Sequence, residues 1–111
     1  MHEKNLNIGY LLDFYGEILT ERKRSVLDMY YNEDFSLSEI SEEIGISRQG
    51  VRDIIKKTEE ELIFLEERLG LSKKMELLEE KTDEIISLSK RLDAPCELSA
   101  ALADLKALVE Q

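Results

Sequence analysis

A chain of 111 residues is one domain's worth of sequence, long enough to bury a moderate core, and no second, catalytic domain is expected in it. Fifteen Lys and Arg against 25 Asp and Glu give a formal net charge of -10 and a sequence pI near 4.6, which excludes strong nonspecific attraction of the whole chain to DNA or an anionic membrane. The apolar runs fall far short of the roughly 20 residues that cross a bilayer, and "MHEKNLNIGY" has no apolar signal-peptide core, so a cytoplasmic protein without membrane insertion is expected.

A single proline, five glycines and little β-branched alternation predict an all-α fold. Ile8, Leu11, Leu12, Tyr15, Ile18 and Leu19 recur at threes and fours, which predicts a first helix over about 6–18. Thr20 is placed to cap a second helix, whose apolar side is Val26, Leu27, Tyr30 and Tyr31. After the turn-prone "NEDF", Ser36 and Glu39 form a capping box for a short third helix from Leu37 to about Ile44. Gly45 suits the left-handed residue that ends it, and Ser47 can cap a fourth helix starting at Arg48. Apolar or small positions 51, 55, 58, 62, 65 and 69 carry that helix to Leu69, closed by Gly70, for a length of roughly 33 Å. Its acidic run "TEEELIFLEERL" reads as a solvated face. Ser72 is the expected cap of a fifth helix, in which Met75, Leu78, Ile85 and Leu92 repeat by threes and sevens, with Leu77, Ile86 and Leu88 widening the face. Pro95 breaks it, and Leu98, Leu102, Leu105 and Val109 stripe a sixth. The aromatic residues Tyr10, Phe14, Tyr15, Tyr30, Tyr31, Phe35 and Phe64 are assigned mainly to the core.

Residues 37–57 meet the requirements of a helix-turn-helix without a wing. Two helices that cross steeply need apolar side chains at the crossing, a small residue at the close approach and a glycine in the turn. Leu37, Ile40 and Ile44 face Val51, Ile54 and Ile55, Ser41 is the small residue, Gly45 makes the turn and Ile46 plugs it. Charge follows the same division. Residues 47–57 set Arg48, Arg52, Lys56 and Lys57 against Asp53 alone, a local charge of +3, whereas residues 58–111 sum to -7. Arg48, Arg52 and Lys56 share one helix face, and Ser47, Gln49 and Lys57 lie beside them, which makes this set the candidate for base or phosphate contact. Arg22, Lys23 and Arg24, with Ser36 and Ser38, are further candidates for phosphate contact.

"SEISEEIGISRQGVRDIIKK" resembles the promoter-reading fourth region of sigma-70 type factors. More of the chain, about residues 8–71, resembles the YlxM-like family of small bacterial helix-turn-helix proteins encoded beside signal recognition particle genes. The resemblance implies a DNA-binding or regulatory role connected with that particle. Sigma factors commonly place an acidic and then a basic residue after the helix-starting "SR"; Gln49 and Gly50 stand there, so reading of promoter elements is not implied.

The expected organisation is a helix-turn-helix domain over 1–71 and a helical hairpin over 72–111. Unless the hairpin folds back on the first helix, Leu78, Ile85, Leu88, Leu92, Leu102 and Leu105 are candidates for a homodimer or higher homo-oligomer surface. The function expected is DNA-binding regulation, with DNA or RNA as ligand. The alternative is an interaction module whose acidic helices bind signal recognition particle protein or RNA. No enzyme, cofactor or metal is expected: Cys96 is the only cysteine, His2 the only histidine, in an end expected to fray, and no phosphate-binding glycine loop occurs.

Overall fold

The computed structural model describes residues 6–110; His2 lies outside them. The described residues are all-α: α1 (Leu6–Tyr15), a 3-10 turn (Gly16–Ile18), α2 (Glu21–Tyr31), α3 (Leu37–Ile44), α4 (Arg48–Leu69), α5 (Leu71–Arg91) and α6 (Cys96–Val109). Contacts divide the chain after Leu69 into two compact units.

Most helix ends fall where capping chemistry puts them. Thr20 accepts the Lys23 N–H at 3.4 Å, and the Ser36–Glu39 box is closed in both directions, at 3.1 and 2.9 Å. Gly45 and Gly70 are left-handed, with φ of 74° and 61°, where a Cβ would strain the backbone. Two boundaries differ from expectation. The first α-helix stops at Tyr15, and the chain tightens through Gly16–Ile18 so that Leu19 can turn extended into the core; Ile18 is thereby left exposed. The expected turns after α2 and α5 form, with Asp34 and Asp93 in their left-handed positions. Ser72 does not cap α5: Gly70 is the N-cap and Ser72 is buried in the first turn.

In the first unit α4 packs against each of α1, α2 and α3. Its buried Val51, Ile55 and Leu62 meet Ile8, Leu12, Tyr15, Val26, Leu27 and Ile40 in one apolar cluster. Tyr31 and Phe35 are partly buried against this cluster. Tyr10, Phe14 and Phe64 are exposed, because the apolar arcs of α1 and α4 are wider than the surfaces that cover them.

The acidic run of α4 is a partly engaged face rather than a wholly solvated one. Tyr15 Oη donates to Glu66 Oε1 at 2.6 Å, Tyr31 Oη donates to Glu59 Oε2, and Lys23 Nζ pairs with Glu61 Oε1 at 3.1 Å. Three acids thus tie α4 to α1 and α2. Each bond satisfies a polar group at the edge of the core that would otherwise be costly to desolvate.

The second unit is a hairpin of α5 and α6. Its seam holds Thr82, Ser89 and Leu102, all buried. The two hydroxyls are satisfied within α5, Thr82 Oγ1 donating to the Leu78 carbonyl at 2.6 Å and Ser89 Oγ to that of Ile86 at 3.0 Å, so small polar side chains can occupy the seam. Leu102 is only 7% exposed and fills the hairpin interior, which corrects its assignment to an outer surface. Leu78, Ile85, Leu88, Leu92 and Leu105 are exposed.

Candidate nucleic-acid interface

The α3–α4 crossing is built from local chemistry. Ile40, Val51 and Ile55 are buried at its centre, with Leu37, Ile44, Ile46 and Ile54 packed around them. The turn is pinned by Ser41, whose Oγ donates to the Ile46 carbonyl at 2.5 Å. Ser47 Oγ then accepts the Gly50 N–H at 3.0 Å and starts α4. Gly50 lies close to both the plug and the cap: a Cβ there would lie 3.2 Å from Ile46 Cδ1 and 3.3 Å from Ser47 Oγ, tighter than ordinary contact. The plug and the cap both press against the bare glycine.

This geometry brings the N-termini of α3 and α4 together. Ser36, Leu37 and Ser38 from one, and Ser47, Arg48, Gln49 and Arg52 from the other, line a single open cleft of about 650 Å³. Two helix N-termini point partial positive charge at such a space, and two guanidinium groups add full charges. Ser36 and Ser47 use their oxygens as caps, yet a hydroxyl that accepts a bond still has a hydrogen to donate. The cleft therefore offers donors and positive charge to an anion.

Along the exposed face of α4, Gln49 Nε2 donates to Asp53 Oδ1 at 3.0 Å, while Arg52 donates to Gln49 Oε1 at 3.4 Å. Asp53 and Gln49 thereby hold Arg52 along the helix surface. Lys56 and Lys57 are exposed in the following turn. Six of the sequence candidates, Ser36, Ser38, Ser47, Arg48, Gln49 and Arg52, are thus gathered in one place; Lys56 and Lys57 extend the same helix.

Arg22, Lys23 and Arg24 are not one patch. Consecutive helical residues point in different directions: Lys23 is paired with Glu61, and the Arg24 side chain lies over Gly16, where a Cβ would come 3.4 Å from its Nε. Arg22 and Arg24 are both exposed, and among the described residues only Lys23 of the three is held in an ion pair. What sequence reasoning missed is the convergence of the two N-termini. Both capping signals were present, but nothing local says that α3 and α4 begin side by side.

Among the described residues no group of three or more His, Cys, Asp or Glu could hold a metal ion, and no helix is long and apolar enough to cross a membrane. Cys96 is exposed.

A short helix and the basic first turns of a long one, crossing through a left-handed glycine, place this all-α chain in the helix-turn-helix class. A family model described as "Putative helix-turn-helix protein, YlxM / p13 like" matches residues 2–99, and the chain belongs to that family, UPF0122. A UPF0122 protein of Exiguobacterium sibiricum is 43% identical over 106 residues, 96% of each chain. One of Caldanaerobacter subterraneus is 47% identical over 85 residues, 77% of this chain and 73% of the relative. Another, of Halalkalibacterium halodurans, is 43% identical over 110 residues, 99% of this chain and 94% of the relative.

Proposed function

We propose that this chain is a cytoplasmic DNA-binding regulator, working as a homodimer, whose α4 enters the major groove in the manner of sigma-70 region 4. The observation that carries the reading is the cleft in which Ser36, Ser38, Ser47, Arg48, Gln49 and Arg52 meet at two helix N-termini. Phosphate oxygens take the serines, Arg52 and the α3 N-terminus, while Gln49 turns from Arg52 to a base edge. From Arg48 to Lys56 the basic face runs about 12 Å along α4, comparable to the width of the major groove. The overall charge of -10 is no obstacle, since affinity follows local neutralisation of phosphates, and the basic segment carries +3. In this reading the first unit binds DNA and the second joins two copies.

The test is selection of bound genomic fragments by the purified chain at two salt concentrations, beside Arg48→Ala/Arg52→Ala. A shared site that the double variant fails to recover supports the proposal. Absence of enrichment by the unaltered chain at either salt would refute it.

A second reading is favoured by the exposed acids of α4 to α6: an interaction module for a basic partner, the signal recognition particle protein or its RNA complex. It predicts that Arg52→Glu leaves partner binding intact, as measured by titration calorimetry; lost binding would count against it.

A further inference from the structure

Asp53 is the one acid among residues 47–57, and it stands on the exposed side of α4, opposite the buried Val51 and Ile55. A carboxylate on a surface that meets phosphates weakens binding, so its place calls for a reason. An ion pair would be the ordinary one, since Lys56 and Lys57 lie three and four residues on. Neither is used: among the described residues the only side-chain bond of Asp53 is the one it accepts at 3.0 Å from Gln49 Nε2. The neighbours then fix the polarity of the Gln49 amide. A carboxylate accepts and a guanidinium only donates, so Nε2 faces Asp53 and Oε1 faces Arg52, 3.4 Å away.

We infer that Asp53 determines base specificity: it orients Gln49 toward an adenine and itself accepts from the amino group of a neighbouring cytosine. This role rests on the DNA-binding reading proposed above and names the bases that its α4 selects. Once Arg52 moves to a phosphate, Gln49 Oε1 is free to accept, while Nε2 keeps a second N–H beside the one given to Asp53. That acceptor and donor match the N6 amino group and N7 of adenine, and no other base in the major groove. The second carboxylate oxygen of Asp53 is unengaged among the described residues. Thymine O4 repels it, as do guanine O6 and N7, and adenine sets N7 beside its amino group; cytosine presents its N4 amino group with no acceptor alongside. The two side chains meet at 3.0 Å, close to the 3.4 Å between stacked bases on a strand, so they address neighbouring base pairs. The step read is an A·T pair beside a C·G pair. Arg48, Arg52 and Lys56 on the adjacent row of α4, and Lys57 at the end of this one, are left for phosphates.

The test is selection from a randomised duplex pool by the full chain, followed by anisotropy titration of the selected duplex and its single-base-pair variants. The unaltered chain should select an A·T pair beside a C·G pair and lose about tenfold in affinity when that C·G becomes T·A. In Asp53→Ala the loss should shrink to within about twofold, while affinity for a duplex without the step rises about twofold, because a repulsion from the phosphates is gone. A merely structural effect of the substitution would weaken both duplexes alike and leave discrimination between them in place. A selected site that lacks the step, or discrimination at C·G that Asp53→Ala retains, would overturn the inference and leave DNA binding standing. No selection by the unaltered chain would overturn both.

Discussion

Gly50→Ala sets two physical effects against each other at the centre of the motif. Helix propensity alone favours alanine over glycine by about 1 kcal/mol. Against this, the new methyl would sit 3.2 Å from Ile46 Cδ1 and 3.3 Å from Ser47 Oγ, both inside comfortable contact. Neither neighbour is free to leave. Ile46 is packed against the core as the plug of the turn, and Ser47 Oγ is held by the Gly50 N–H itself at 3.0 Å. Displacing the serine gives up a cap worth about 1 kcal/mol, and forcing the isoleucine off its rotamer costs about another 1 kcal/mol. The net expectation is a loss of about 1 kcal/mol, or about 4–8 °C in Tm for a domain of this size. Urea and thermal unfolding of Gly50→Ala, Ile46→Val and the double variant measure it. Removing Cδ1 should relieve part of the clash and give a coupling of about 0.5 kcal/mol or more. An alanine variant about 1 kcal/mol more stable than the parent, with no coupling to Ile46, would refute the reasoning.

Other outcomes follow from the same geometry. Gly45→Ala has open space around its Cβ, so its cost is backbone strain alone, about 1 kcal/mol by urea unfolding; an unchanged midpoint would contradict the left-handed assignment. Ser41→Ala removes the donor to the Ile46 carbonyl and should cost about 1 kcal/mol by the same measurement, whereas Ser38→Ala, exposed on α3, should cost less than half of that. Lys23→Ala breaks a partly exposed ion pair with Glu61, so it should cost under about 1 kcal/mol of stability. It should also leave DNA affinity within about twofold in an anisotropy titration, because its charge is already engaged; a tenfold loss would return Lys23 to the interface.

The helix ends legible in the sequence were those set by chemistry within four residues. Thr20, Ser36 with Glu39, Gly45, Ser47 and Gly70 act through their own backbone neighbourhood, so their roles can be read without knowing the fold. Gly70 also shows the limit of such reading: one left-handed residue ends α4 and starts α5, leaving Ser72 nothing to cap. Asp34 and Asp93 were missed because aspartate occupies the left-handed region only where the surrounding turn pays for it. The ties between α4 and the first two helices were beyond sequence reading for another reason. Tyr15 and Glu66 are 51 positions apart, Lys23 and Glu61 are 38 apart, and only the packing of the helices brings them together. Spacing placed Arg48 and Arg52 on one face of α4; that Ser36 and Ser38 stand opposite them depends on the crossing of α3 over α4.

The central claim is that the cleft and the basic face of α4 bind DNA phosphates and bases, and the salt dependence of binding tests it most directly. Affinity for a selected duplex should be measured by anisotropy between low and near-physiological salt, for the unaltered chain and for Arg52→Ala. If Arg48, Arg52, Lys56 and Lys57 each neutralise one phosphate, the slope of log K against log salt is about -3.6 per copy, and the Arg52 variant loses about 0.9 of it. Binding that is independent of salt, or a slope unchanged by removing Arg52, would contradict the account.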